Sequence, residues 1–372
     1  MTRLLFLLLL LPALALADAP PAPPIAAKAW VLYDFTSTQT ITSENAHERV
    51  EPASLTKLMT AYLAFAALKQ KTLTLGQVVP VSERASKAAG SRMFIEPRKP
   101  VTVNGLLHGV IVQSGNDACI ALAEAVAGSE DVFAQMMNRE AQRLGMKDSS
   151  FTNSSGLPDP KHYSSAYDLG LLAAALIRDF PEYYPLYSLR EYRYNNITQQ
   201  NRNRLLWLDP NVDGMKTGYT ENAGFCLVAS AKRGARRLVS VVLGANSDGG
   251  RTQESQKLLN YGFQFYDSLK LYDKGQAVST LEVLKGSENR LKAGFQSDFY
   301  VSVPRGSGDQ VKADLISMQP LVAPISIGQK VGTMKVMLQN KALGEYPVVA
   351  LENVAIAGFF GRTWDGMRLW FK

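Results

Sequence analysis

The chain has 372 residues, too many for one typical domain and enough for a large core with an appendage. Its formal charge of +7 is spread without a Lys/Arg-rich run, which argues against nucleic acid as a partner and suits an anionic polymer or lipid headgroup. Two cysteines, Cys119 and Cys226, are too few for a disulfide scaffold; both fall on apolar segments where buried free thiols are expected and a disulfide is not indicated.

Met1-Thr2-Arg3, an apolar run from Leu4 to Leu11 and Ala15-Leu16-Ala17 before Asp18 read as a signal peptide over residues 1–17, so the mature chain is expected to be exported. The run is too short to be a good spanning helix. Pro20, Pro21, Pro23 and Pro24 stiffen a leader over 18–27. A first domain is expected over 28–270. It starts with a strand from Ala29 to Phe35, followed by a helix from Leu55 to Lys69 that is apolar on nearly all sides and therefore belongs at a domain centre. Glu51-Pro52-Ala53-Ser54 forms the turn that opens this helix.

Val103 to Val112 and Ala118 to Ala127 read as helices bracketing Ser114-Gly115-Asn116, and Val132 to Leu144 and Ala166 to Ile177 as two amphipathic ones. Phe225 to Ala231 and Leu238 to Leu243 form a hairpin signal, immediately preceded by Lys216-Thr217-Gly218. Thr252 to Leu269 closes the domain as a helix. Short alternating runs over 271–352 predict a small all-β domain. Over 353–372 a helix would line up Phe360, Trp364, Met367 and Phe371 on one face, with Arg362, Asp365 and Arg368 off it. Such a helix suits a membrane interface, or else docking on the protein's own core.

The chemistry rests on Ser54-Leu55-Thr56-Lys57. A serine hydroxyl needs a base, and none of His47, His108 and His162 sits in a nucleophile-elbow context. Lys57 lies three residues after Ser54, on the same helical face, and burial beside another cation, here expected to be Lys216, would lower its pKa toward the neutral base. Ser114 fits a proton shuttle and Asn116 a holder of substrate backbone, although Ser, Asn and Asp117 also suit a helix cap. Lys216 and Thr217 can bind a terminal carboxylate, and Gly218 would let substrate approach the strand edge. The backbone N–H groups of Ser54 and Tyr219 would form the oxyanion hole.

Ser-x-x-Lys, Ser-x-Asn and Lys-Thr-Gly in this order are the motif set of penicillin-binding proteins and class A β-lactamases. Together with the domain order, they make the chain resemble the serine-type D-alanyl-D-alanine carboxypeptidases, the low-molecular-mass penicillin-binding proteins. The resemblance implies an α+β architecture: a β-lactamase/transpeptidase-like catalytic domain with an antiparallel sheet flanked by helices, a small all-β C-terminal domain and a terminal amphipathic helix. It also implies removal of the terminal D-alanine from peptidoglycan stem peptides through an acyl-enzyme, covalent inhibition by β-lactams, and no metal or cofactor. The expected location is the periplasmic face of the inner membrane, with residues 353–372 on its surface.

The resemblance adds Arg202 and Arg251 around the carboxylate site, and Asp168 near the active-site floor, where a first-turn helix acid explains it equally. Tyr219 departs from a position where relatives often carry histidine, and Tyr167 from one where arginine is frequent. A class A β-lactamase would need a Glu-x-x-Leu-Asn loop between the second and third motifs, and none occurs. A serine esterase on the same fold and a dormant wall-binding protein are the remaining alternatives.

Overall fold

The computed structural model describes residues 19–358. The expected signal peptide and the expected amphipathic face beyond Gly358 lie outside the described residues. The chain divides into one unit over Ala22–Gln264 and another that takes up the chain from Phe265.

The first unit is built around an antiparallel sheet and one central helix. Strands β1 (Ala29–Asp34) and β2 (Gln39–Glu44) form a hairpin. Much later in the chain come β3 (Val212–Thr220), β4 (Gly224–Arg233) and β5 (Arg236–Ala245), giving the order β2-β1-β5-β4-β3. β1 pairs with β5, so the earliest and latest strands meet at the middle of the sheet and β3 is left at its edge. An edge strand directs every second N–H and C=O away from its only neighbour.

Helix α1 (Lys57–Lys69) is buried except at Ala66 and Lys69. It has no polar stripe to turn toward water, and Ala61, Ala64 and Ala67 let its neighbours approach. Those neighbours include α2 (Asn116–Ala127), α3 (Glu130–Arg143) and α4 (Ala166–Asp179), and α4 also packs on β1 and β5. Ser129 and Ser165 cap α3 and α4 by accepting from the N–H groups of Val132 and Asp168.

Helix α5 (Asp248–Phe265) ends before the expected Leu269. Tyr266–Tyr272 is instead strand β6, paired with Phe299–Pro304. Only Leu269-Lys270-Leu271 alternates within it, and the pairing shifts register between Lys270 and Tyr272, so the preceding helical pattern obscures the strand. The second unit also has a six-stranded sheet, and its core includes Leu291, Val301, Val331, Val336 and Val348. Residues 353–358, expected to start a helix, are extended: Val354 bridges Ile325 and Ile356 bridges Gly286. Among the described residues no helix is long and apolar enough to cross a membrane.

Candidate active site

Ser54 lies on a single 3-10 turn, Ala53–Thr56, that runs into α1. Two glycines let other segments close on this turn. A Cβ on Gly218 of β3 would stand 3.0 Å from Pro52 O and 3.3 Å from Ala53 Cβ. A Cβ on Gly156, whose φ is +85°, would stand 1.8 Å from Ala53 O. The small size of Gly218 thus lets β3 close on the turn that carries the serine, and the residue also lines the cleft.

Lys57 is 1% exposed. Its Nζ is 2.9 Å from Ser54 Oγ, 2.7 Å from Asn116 Oδ1 and 2.7 Å from Ser155 O. The Asn116 amide is oriented by its own Nδ2, which donates to Ala89 O at 2.6 Å, so Oδ1 faces the lysine as an acceptor. A carbonyl can only accept. A neutral amine, with two N–H groups and one lone pair, therefore has both protons engaged by Asn116 and Ser155, and its lone pair is left for the Ser54 hydroxyl.

The Ser155 carbonyl is held in place by local turn chemistry. Asn153 Oδ1 accepts from the N–H groups of Ser155, Gly156 and Leu157, while Glu130 Oε1 accepts from Ser154 N and Oγ. This backbone oxygen was not anticipated from the sequence; its only sequence signal is the turn-forming run Asn153-Ser154-Ser155-Gly156.

Ser114 follows a π-helical turn over Gly109–Gln113 and adopts a left-handed conformation, φ 64° and ψ 35°. Its Oγ accepts from Lys216 Nζ at 2.9 Å, and the same Nζ donates to Thr217 O at 2.9 Å. Asp117, expected as a helix cap, reaches outward from α2 and accepts from the N–H groups of Met93, Phe94 and Ile95, fixing the neighbouring loop.

Burial pushes the Lys57 ammonium down to about 8; the Cys119 thiol and Asp117 act against this, and Arg202 adds to it. Lys57 and Lys216 repel each other, as expected, and Arg202 is a further cation that lowers both. Lys216 itself is held well below the ordinary lysine value by burial first, then by Lys57, Arg202 and Arg251. Cys119 and Cys226 are buried and free, and burial raises the Cys119 thiol to about 12.

Ser54, Ser114, Asn116, Arg202, Thr217, Gly218, Tyr219 and Arg251 all line one cleft of about 380 Å3. Arg202 is exposed and donates to Ser91 Oγ at 2.8 Å. Arg251 is buried: it donates to Gly218 O at 3.0 Å and Cys226 O at 3.3 Å and pairs with Asp248, so it ties β3 to β4 at the cleft. Tyr219 is 53% exposed, with its ring 4.4 Å from that of Phe225.

Asp168 does not line the cleft; it accepts from Asp148 N and Ser149 Oγ at 2.7 Å each. His162 lies under the serine turn. Its Nδ1 accepts from Thr152 N, so Nε2 carries the proton and donates to Thr56 Oγ1 at 2.8 Å. Burial pushes His162 down to about 4.

The family model described as D-alanyl-D-alanine carboxypeptidase matches residues 16–247, and the one described as Penicillin-binding protein 5, C-terminal domain, matches 266–355. The chain belongs to the D-alanyl-D-alanine carboxypeptidase family. By this membership it is a serine-type DD-carboxypeptidase, a penicillin-binding serine hydrolase with an additional all-β domain. D-alanyl-D-alanine carboxypeptidase DacC of Escherichia coli is 42% identical, covering 98% of this chain and 94% of its own. DacA of Haemophilus influenzae is 40% identical over 94% and 91%. Penicillin binding protein 5 from Haemophilus influenzae superimposes with a TM-score of 0.84 at 40% identity, covering 90% of this chain and 99% of that one. Penicillin-Binding Protein D2 from Listeria monocytogenes, solved in an ampicillin-bound form, gives 0.61 at 29% over 66% and 100%.

Proposed function

We propose that this enzyme removes the terminal D-alanine from peptidoglycan stem peptides through an acyl-enzyme on Ser54, with Lys57 as the base. The observation that carries this reading is the triple coordination of Lys57 Nζ, which leaves the lone pair of a neutral amine facing Ser54 Oγ. Lys57 takes the hydroxyl proton as Oγ attacks the carbonyl carbon of the penultimate D-alanine. The oxyanion forms between the backbone N–H groups of Ser54 and Tyr219. Ser114, bonded to Lys216, relays a proton to the departing amine, and Asn116 holds the substrate backbone. Water then hydrolyses the ester and frees Ser54.

Arg202 and Arg251 line the cleft, Arg251 paired with Asp248, while Lys216 stands beside it on Ser114 and Thr217 adds a hydroxyl. The terminal carboxylate of the substrate would add a counter-charge beside Lys216 and so favour its protonated form. A β-lactam offers the same carboxylate and a reactive amide, and would acylate Ser54 in place of the peptide. For the whole chain, the reading is export by residues 1–17, a leader over 18–27, a catalytic domain from 28 and an all-β domain to 352, with the boundary at 264/265 in place of the expected 270/271. The aromatic face within 353–372 would then hold the enzyme on the outer surface of the cytoplasmic membrane. A fluorescent penicillin should label the protein covalently, and Ser54→Ala should abolish the label. A label that survives this substitution overturns the assignment of the nucleophile.

A further inference from the structure

Residues 51–53 run alongside residues 218–220, and Tyr219 is bracketed by two contacts between these segments. On one side Gly218 lies against the Pro52 carbonyl and Ala53. On the other, Glu51 Oε2 accepts from Thr220 Oγ1 at 2.9 Å, and Glu51 Oε1 accepts from Asn222 Nδ2 at 3.2 Å. Thr220 Oγ1 itself accepts from Ala223 N at 3.0 Å, so its one proton is committed to Glu51. A half-buried carboxylate three residues before the serine thus ties the end of β3 to the turn that carries Ser54.

We propose that Glu51 is a positioning residue for acylation: its carboxylate clamps the end of β3 to the serine turn and so fixes the gap between the Ser54 and Tyr219 backbone N–H groups. This rests on the Ser54 acyl-enzyme reading. Both N–H groups must point at one oxyanion, and they come from segments far apart in the chain. β3 is an edge strand with no neighbour on the cleft side, so the sheet alone does not set that gap. The Gly218 contact stops the segments from approaching further, and the Glu51 carboxylate stops them from separating. Loss of one oxyanion donor costs about 10²–10³ in turnover; a loosened donor is expected to cost about tenfold.

The test is stopped-flow acylation of the full chain by a chromogenic cephalosporin, resolving the non-covalent dissociation constant from the acylation rate. Glu51→Ala should slow acylation about tenfold, with dissociation constant and final labelling stoichiometry unchanged within about twofold. Glu51→Asp should recover part of the rate. Thr220→Val, which removes the donor and keeps the shape, should slow acylation similarly, and the double variant should be no slower than the worse single one. The proposal is overturned if Glu51→Ala acylates at the parental rate, if the loss lies in the dissociation constant or in the labelled fraction alone, or if the two single effects multiply. Should Glu51→Ala fail to fold, Thr220→Val alone decides by the same rate. A wild-type rate in these variants with Ser54→Ala unlabelled refutes the clamp only, whereas label in Ser54→Ala refutes the serine reading.

Discussion

Raising the pH should switch the enzyme on through Lys57. The base works as the neutral amine, so the acylation rate should follow the deprotonated fraction, rise with pH through about 8 and level off above it. With a pKa of about 8, that fraction is ~1% at pH 6, ~9% at pH 7 and ~50% at pH 8, so acylation should rise about fiftyfold between pH 6 and 8. At the ordinary lysine value of 10.5 it would be only ~0.03% at pH 7, so burial makes the base about 300-fold more available. His162 is pushed down to about 4 and Cys119 up to about 12, so neither produces a limb near 8. The assay is the limiting acylation rate at saturating β-lactam from pH 6 to 9.5, which separates the chemical step from the effect of Lys216 on carboxylate binding. Arg202→Gln removes a cation that lowers Lys57 and should move the limb to higher pH. A rate flat over this range, a limb centred near 10.5, or a shift to lower pH in Arg202→Gln would refute the reasoning.

Two further substitutions probe the supports of the site. Gly218→Ala places a methyl 3.0 Å from Pro52 O and should force β3 away from the serine turn, costing about 1–3 kcal/mol in denaturant-derived stability and slowing acylation. Asp117→Asn weakens the hydrogen bonds accepted from Met93, Phe94 and Ile95; a loss of about 1–3 kcal/mol in thermal or urea unfolding is expected, with Ser54 still able to be labelled in the folded fraction.

The parts of the site legible in the sequence were those carried by side chains at short, regular spacing. Ser54 and Lys57 are three residues apart at the entrance to a helix, so their meeting follows from helical geometry alone. The apolar run of α1 announced its own burial for the same reason. What was missed depends on backbone atoms and on contacts between distant segments. The Ser155 carbonyl has no side-chain signature, and only the fold brings residue 155 to residue 57.

Lys216-Thr217-Gly218 directly precedes the β4–β5 hairpin, as expected, and lies on β3, the edge strand paired with β4. Gly214, Lys216 and Gly218 fall on one face of β3, and its two glycines lower the strand propensity of the run. Asp117 suits a cap because it stands at a helix start, where a cap and a clamp on the neighbouring loop look the same in sequence. Beyond Phe265 the helical pattern overran a strand because Leu269 and Tyr272, three residues apart, continue a helical spacing.

The central claim is tested most directly by mass spectrometry on a pentapeptide ending in two D-alanines. Incubated with the parent enzyme it should lose one alanine, and the same reaction, quenched early, should leave a peptidyl ester on the tryptic fragment containing Ser54. Ser54→Ala should give neither. An intact peptide in the presence of enzyme that β-lactams still label, or an adduct on any other residue, would contradict the account.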